Sequence, residues 1–106
     1  MDNGELMEKL RQFVAERDWE QFHTPENLAK SISIEAAELL ECFQWGQDAQ
    51  SERIQEELAD VVTYCLLLAD KLDLNVNQIV AEKLKQTIAK YPIDKAKGKS
   101  DKYDRL

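Results

Sequence analysis

A single histidine, two cysteines, three glycines and two prolines are all that this 106-residue chain holds of those types, and each scarcity removes a class of chemistry. With His23 as the one imidazole, no Ser or Cys nucleophile has a usable base, so a hydrolytic triad is not expected. A carboxylate-bridged di-iron bundle needs Glu-x-x-His from two helices, and no acid pair here includes a histidine. Cys42 and Cys65 stand apart in apolar, helical contexts and form no short-spaced thiol cluster for zinc or redox work. Reduced thiols in a cytoplasmic protein fit them. There is no Gly-rich phosphate loop, and so few Gly and Pro leave few turn signals for a many-stranded sheet. The longest apolar run, Val61 to Ala69, is too short to span a bilayer. Asp2-Asn3-Gly4-Glu5 is polar, so no signal peptide is expected after Met1.

What is present points to helices. Hydrophobic residues make up 43% of the chain and charged ones 33%, enough for a core and for solubility. The good helix formers Ala, Leu, Glu, Lys and Gln dominate. The chain reads as one all-α domain. Net charge is −7 but unevenly spread: from Lys83 onward eight basic residues face three acids, leaving the tail at +5 and residues 1–82 at −12. An acidic body argues against nucleic acid as a partner, because duplex binding needs an extended basic surface. A small polyanion carried on metal ions suits this split, although a solvated tail has the same composition.

The hydrophobic spacing predicts four helices. Leu6, Leu10, Phe13 and Val14 recur at helical intervals from about Asn3 to Arg17. Three aromatic rings within Trp19-Glu20-Gln21-Phe22-His23 then interrupt the pattern. Thr24 as N-cap and Pro25 at the first helical position open a second helix, expected to reach about Trp45, where Gly46 supplies the stop before a loop over Asp48 to Ser51. A third helix is expected from Glu52 to Leu72. Its middle, from Val61 to Ala69, is apolar nearly all the way round and must be covered on every side, so it is expected to pack against a second copy of the chain. Asn75 and Gln78 have the form of a capping box, opening a fourth helix from about Val76 to Lys90. Pro92 ends it, and residues 93–106 read as a polar, basic extension of the helical domain formed by residues 1–92.

Two carboxylate pairs flank the middle of the chain: Glu35 with Glu38, and Glu57 with Asp60. Each is spaced i, i+3, which on a helix sets the two Cβ atoms about 5–6 Å apart, where like charges repel. At an effective dielectric near 20, two charges 5 Å apart cost about 3 kcal/mol. A hard divalent cation such as Mg²⁺ would convert that repulsion into coordination. Solvated acids on an ordinary acidic helix are the alternative, but both pairs are threaded among apolar residues, as in Glu35-Ala36-Ala37-Glu38-Leu39-Leu40.

The run Arg17-Asp18-Trp19-Glu20-Gln21-Phe22-His23, then Glu35-Ala36-Ala37-Glu38-Leu39-Leu40-Glu41-Cys42-Phe43-Gln44-Trp45, then Glu56-Glu57-Leu58-Ala59-Asp60-Val61, resembles the MazG-like nucleotide pyrophosphohydrolases, in particular the small dCTP-pyrophosphatase branch. Lys83, Tyr91-Pro92, Lys99, Lys102-Tyr103 and Leu106 match that branch's basic C-terminal pattern, so the resemblance covers nearly the whole chain. It implies helices of two chains forming a bundle, as a dimer or a tetramer. It also implies Mg²⁺-dependent cleavage of a (d)NTP to the monophosphate and diphosphate, in cytoplasmic nucleotide-pool house-cleaning. Glu35, Glu38, Glu57 and Asp60 would be the metal ligands, with Glu35 and Glu38 catalytic and Glu38 the favoured base. The resemblance assigns His23, Trp45, Tyr64 and Trp19 to the base and sugar, and Lys83, Lys99 and Lys102 to the phosphates. Thr87 stands where the branch commonly has asparagine, which leaves the preferred nucleotide open. The alternative function is a non-catalytic helical oligomer that binds nucleotide or a protein partner.

Overall fold

The computed structural model describes residues 1–45 and 51–106, and among them there are five α-helices, two short 3-10 turns and no strand. They group into two compact units, Met1–Leu74 and Asn75–Leu106. The first unit begins with helix α1, Asn3–Glu16, whose N-terminal N–H groups are met by Asp2: its carboxylate accepts from the Glu5 N–H at 2.8 Å. The helix closes at Asp18, which takes φ +55°, a left-handed conformation that Asp tolerates better than most residues. The Asp18 N–H then bonds Ala15 O and the Trp19 N–H bonds Val14 O, each at 3.1 Å. This is the paired C-terminal closure usually built on glycine. A 3-10 turn, Glu20–Phe22, follows.

Helix α2 spans Pro25–Glu41. Thr24 Oγ1 accepts the Asn27 N–H at 3.1 Å, as its sequence predicts, and Asn27 Nδ2 donates to Phe22 O at 3.0 Å, tying the preceding turn to the helix start. The helix ends four residues before the expected Trp45. Cys42, Phe43 and Gln44 instead bond back three residues, to Leu39, Leu40 and Glu41, so the chain tightens into successive turns. The expected stop at Gly46 and loop positions Asp48 to Gln50 lie outside the described residues. Ser51, placed in that loop by sequence, already begins helix α3, Ser51–Lys71. Helix α3 closes as α1 does, with Asp73 at φ +57° and with bonds from Asp73 N–H to Asp70 O and from Leu74 N–H to Ala69 O.

Helix α2 packs against α3, and this pairing positions the two carboxylate pairs. Helix α1 is tied to α3 by Arg11, whose Nε and Nη2 donate to Asp70 Oδ1 at 3.0 and 2.7 Å. Val14, Leu28, Cys42 and Ala69 form the buried apolar set. Many other large apolar side chains stay open, among them Leu40 at 71% exposure, with Phe43, Leu58 and Val62 about half exposed. On α3, Leu58, Val62 and Cys65 are exposed, whereas Val61, Tyr64, Leu66, Leu67 and Leu68 are half-buried and Ala69 is buried.

The second unit starts with helix α4, Val76–Lys90, which matches its expected bounds. Asn75 Oδ1 accepts the Gln78 N–H at 3.0 Å, but the Gln78 amide reaches forward to Glu82 at 3.4 Å, so half of the expected capping box forms. Residues 93–106 are more than an extension. They contain a one-turn helix α5, Ile93–Ala96, and a 3-10 turn, Tyr103–Arg105, giving five helices where four were expected. The Tyr103 N–H donates to the Tyr91 hydroxyl at 3.2 Å, the two rings meet edge to face at 6.2 Å, and Lys90 Nζ lies 4.7 Å over the Tyr103 ring. Aromatic and cation–π contacts of this kind fold the basic tail back on the end of α4. That helix carries its own open apolar face, Ile79, Val80, Leu84 and Ile88.

Candidate metal and nucleotide site

Spacing i, i+3 sets Glu35 beside Glu38 on α2 and Glu57 beside Asp60 on α3, and the α2–α3 pairing brings the two sets together. One carboxylate oxygen from each of Glu35, Glu57 and Asp60 lies within 4.8 Å of the other two. Oε2 of Glu35 and Oε2 of Glu57 are buried and have no hydrogen-bond partner. Unmatched buried polar atoms are uncommon because losing water without a replacement bond costs free energy. Two in one cluster, both acceptors, call for a donor or a cation. Glu38 is not one of the three converging residues, but it lies close to both Glu35 and Glu57, within hydrogen-bonding reach of each.

The protonation behaviour follows from that crowding. Hydrogen bonding to Glu38, then burial, then the charges of Glu38, Asp60 and Glu57 push the Glu35 carboxyl up from 4.5 to about 7. Burial, then the charge of Glu38 and a hydrogen bond to it, then Asp60, also raise Glu57, while Arg53 acts in the opposite sense. The neighbouring acids thus make Glu35 and Glu57 harder to ionise. The donors are all carboxylate oxygens, the set that suits a hard divalent cation such as Mg²⁺. Glu35, Glu57 and Asp60 would hold it, and the two buried oxygens without partners fit that charge.

The residues assigned to the nucleotide belong to both units. Trp19 meets Phe13 edge to face at 5.4 Å, and the Arg17 guanidinium lies 4.0 Å over the Phe13 ring. His23 caps the end of the 3-10 turn and is half-buried, whereas Trp45 is 88% exposed. Tyr64 is half-buried on α3, one turn beyond Asp60. Lys83, Lys99 and Lys102 belong to the second unit and are exposed there; the Lys83 carbonyl accepts from Thr87 Oγ1 at 3.1 Å. Sequence reasoning overlooked Arg53, which pairs with both Glu41 and Glu57. Its position four residues before Glu57 was the available signal.

Known proteins share this arrangement of sequence and fold. A profile of the MazG-like family matches residues 30–106, which include all four acids. The dCTP pyrophosphatase 1 of Rattus norvegicus and that of Homo sapiens are each 39% identical to the chain over 105 residues, covering 90% of it. The chain spans 62% of the length of those relatives. A crystal structure of a pyrophosphatase from Archaeoglobus fulgidus DSM 4304 is 42% identical, with a TM-score of 0.80 over 84% of this chain and 91% of that one. By the match of the family profile across both acid-bearing helices, together with the shared fold, the chain belongs to the MazG-like family.

Proposed function

We propose that the chain is a Mg²⁺-dependent nucleoside triphosphate pyrophosphohydrolase, converting a (d)NTP and water to the (d)NMP and diphosphate. The observation that carries this reading is the convergence of Glu35, Glu57 and Asp60 with two buried, partnerless oxygens. The names of the relatives support the substrate class and favour dCTP within it. Glu35, Glu57 and Asp60 would hold the metal, with Glu38 beside them. When bound, Mg²⁺ neutralises phosphate oxygens and stabilises the leaving diphosphate. Glu38, beside Glu35 and Glu57 but not one of the three converging acids, takes the proton of the attacking water as general base. Trp19, His23 and Trp45 offer faces and a ring N–H to the base, since stacking is worth about 1–3 kcal/mol per base. Tyr64, one turn from Asp60, flanks the sugar and disfavours a 2′-hydroxyl, which favours deoxynucleotides. Lys83, Lys99 and Lys102 donate to phosphate oxygens.

Self-association belongs to the same reading. The open apolar side chains of α2 and α3 in the first unit, and those of α4 in the second, support this, since exposed apolar surface marks interaction sites and a second copy of the chain, in a dimer or tetramer, would cover it. Both cysteines are free, which suits a reducing, cytoplasmic setting and a role in clearing unwanted nucleotides. Among the described residues no helix is long and apolar enough to cross a membrane.

The experiment is diphosphate release across the common dNTPs and NTPs, with Mg²⁺ and with EDTA. Mg²⁺-dependent release, strongest with deoxynucleotides, is the expected result. No release from any of them contradicts the proposal. Comparing Thr87→Asn with the wild type then reads whether Thr87 sets the preferred nucleotide.

A further inference from the structure

The arginines of the first unit have partners of different kinds. Arg11 is committed to Asp70 by two hydrogen bonds at 3.0 and 2.7 Å. Arg17 donates to Phe13 O at 3.0 Å and covers the Phe13 ring. Arg53, in the first turn of α3, makes no such bond among the described residues. Its Nη2 is 3.6 Å from Glu41 Oε2 and its Nε is 4.0 Å from Glu57 Oε1, both longer than the 2.7–3.2 Å of an N–H···O bond. The guanidinium is drawn to both carboxylates by charge without its planar fork being filled by either. It is also half exposed, at 46%.

Glu57 is divided between two neighbours. Oε1 faces Arg53, while Oε2 is the buried, partnerless oxygen of the acid cluster. Arg53 therefore borders the cluster on an exposed side, as the cation paired to one of its members. A cation in that place changes role when the site is loaded. A divalent ion on Glu57 cancels the attraction that holds Arg53 and repels the guanidinium. A triphosphate replaces the lost anion with phosphate oxygens, which a planar fork can grip through two parallel N–H bonds.

We propose that Arg53 is a phosphate-contacting residue of the nucleotide site, exchanging Glu57 for a phosphate oxygen when metal and nucleotide bind; this rests on the pyrophosphohydrolase reading above. Glu41 is the guanidinium's second carboxylate partner, at the last residue of α2, and competes with the phosphate for it.

The test is calorimetric binding to the full chain with Mg²⁺, using the α,β-imido analogue of dCTP and, separately, dCMP. Arg53→Ala is expected to weaken the triphosphate analogue about tenfold, equivalent to about 1.4 kcal/mol, and dCMP less than about twofold. Arg53→Lys should fall between, keeping the charge but losing the fork. Mg²⁺ affinity without nucleotide should change less than about threefold. Equal loss for analogue and monophosphate, or a loss of Mg²⁺ affinity as large as that for the analogue, overturns the proposal, because Arg53 would then act by shaping Glu57. Glu41→Gln provides a check that does not depend on Arg53→Ala folding: tighter analogue binding supports the proposal, and unchanged or weaker binding contradicts it. A wild-type chain that binds neither ligand with Mg²⁺ overturns the function proposal itself, whereas wild-type binding matched by Arg53→Ala overturns only the role of Arg53.

Discussion

Two faces of α3 treat acidic side chains in opposite ways. On the α1 side, Asp70 receives two hydrogen bonds from Arg11, an arrangement that satisfies both partners. On the α2 side, Glu57 joins Glu35 and Asp60 with two buried oxygens left without partners. The same helix thus carries one acid that ties elements together and a cluster that works against them. Under the function proposed above, the difference is that between a structural ion pair and a binding site: crowded carboxylates, two of whose oxygens are buried without partners, would be held ready for a cation.

Predictions that break this contrast begin with Glu38. Glu38→Gln keeps the shape of the side chain and removes the base, so kcat should fall by about 10²–10⁴-fold while nucleotide binding persists in calorimetry. An unchanged kcat would mean that Glu38 is only a neighbour of the site. Glu57→Gln should weaken Mg²⁺ by at least about tenfold, the scale on which even outer partners of metal ligands act. The same change removes repulsion within the empty cluster, so the melting temperature in EDTA should rise. A lower melting temperature together with unchanged metal affinity would place Glu57 with Asp70 among the structural acids. The smallest change lies away from both faces. Thr24→Ala deletes the N-cap of α2 and should cost about 1 kcal/mol of stability by urea unfolding, leaving Mg²⁺ affinity as it was.

Much of this was readable from residue types. Thr24-Pro25 and Asn75 mark helix starts because each places a side-chain acceptor opposite N–H groups that the helix leaves unpaired, and the helices begin where those residues predict. Helix ends were harder to read. Cys42 to Gln44 continue α2 in bonds to the third residue back, a change that leaves no mark in apolar periodicity. Asp18 and Asp73 take the left-handed conformation usually filled by glycine, so the chain turns without the residue that signals a turn. The order in residues 93–106 depends on Tyr91 meeting Tyr103 across twelve positions, a contact that local spacing does not encode. The i, i+3 acid pairs stand out in the sequence because two like charges on one face need a reason, and Glu35, Glu57 and Asp60 of the four converge. Arg53, one turn before Glu57, carries the opposite charge and pairs with it, a signal that the spacing of like charges alone does not hold. Trp45, assigned by resemblance to the nucleotide, is almost wholly exposed.

The most direct measurement is the stability of the chain against pH, in EDTA and in Mg²⁺. Glu35 has a folded-state value of about 7 against an ordinary 4.5, so between those values the folded, metal-free chain holds more protons than the unfolded one. Its stability must therefore fall as pH rises through that window, with Glu57, also raised, acting in the same direction. Mg²⁺ binds the ionised cluster, so its stabilising effect should grow with pH over the same range and release protons as it binds. A metal-free profile that declines from about pH 4.5 to about 7, and is restored by Mg²⁺ at the upper end, is the predicted result. A flat profile that Mg²⁺ leaves unchanged would contradict the claim that these acids are assembled for a cation.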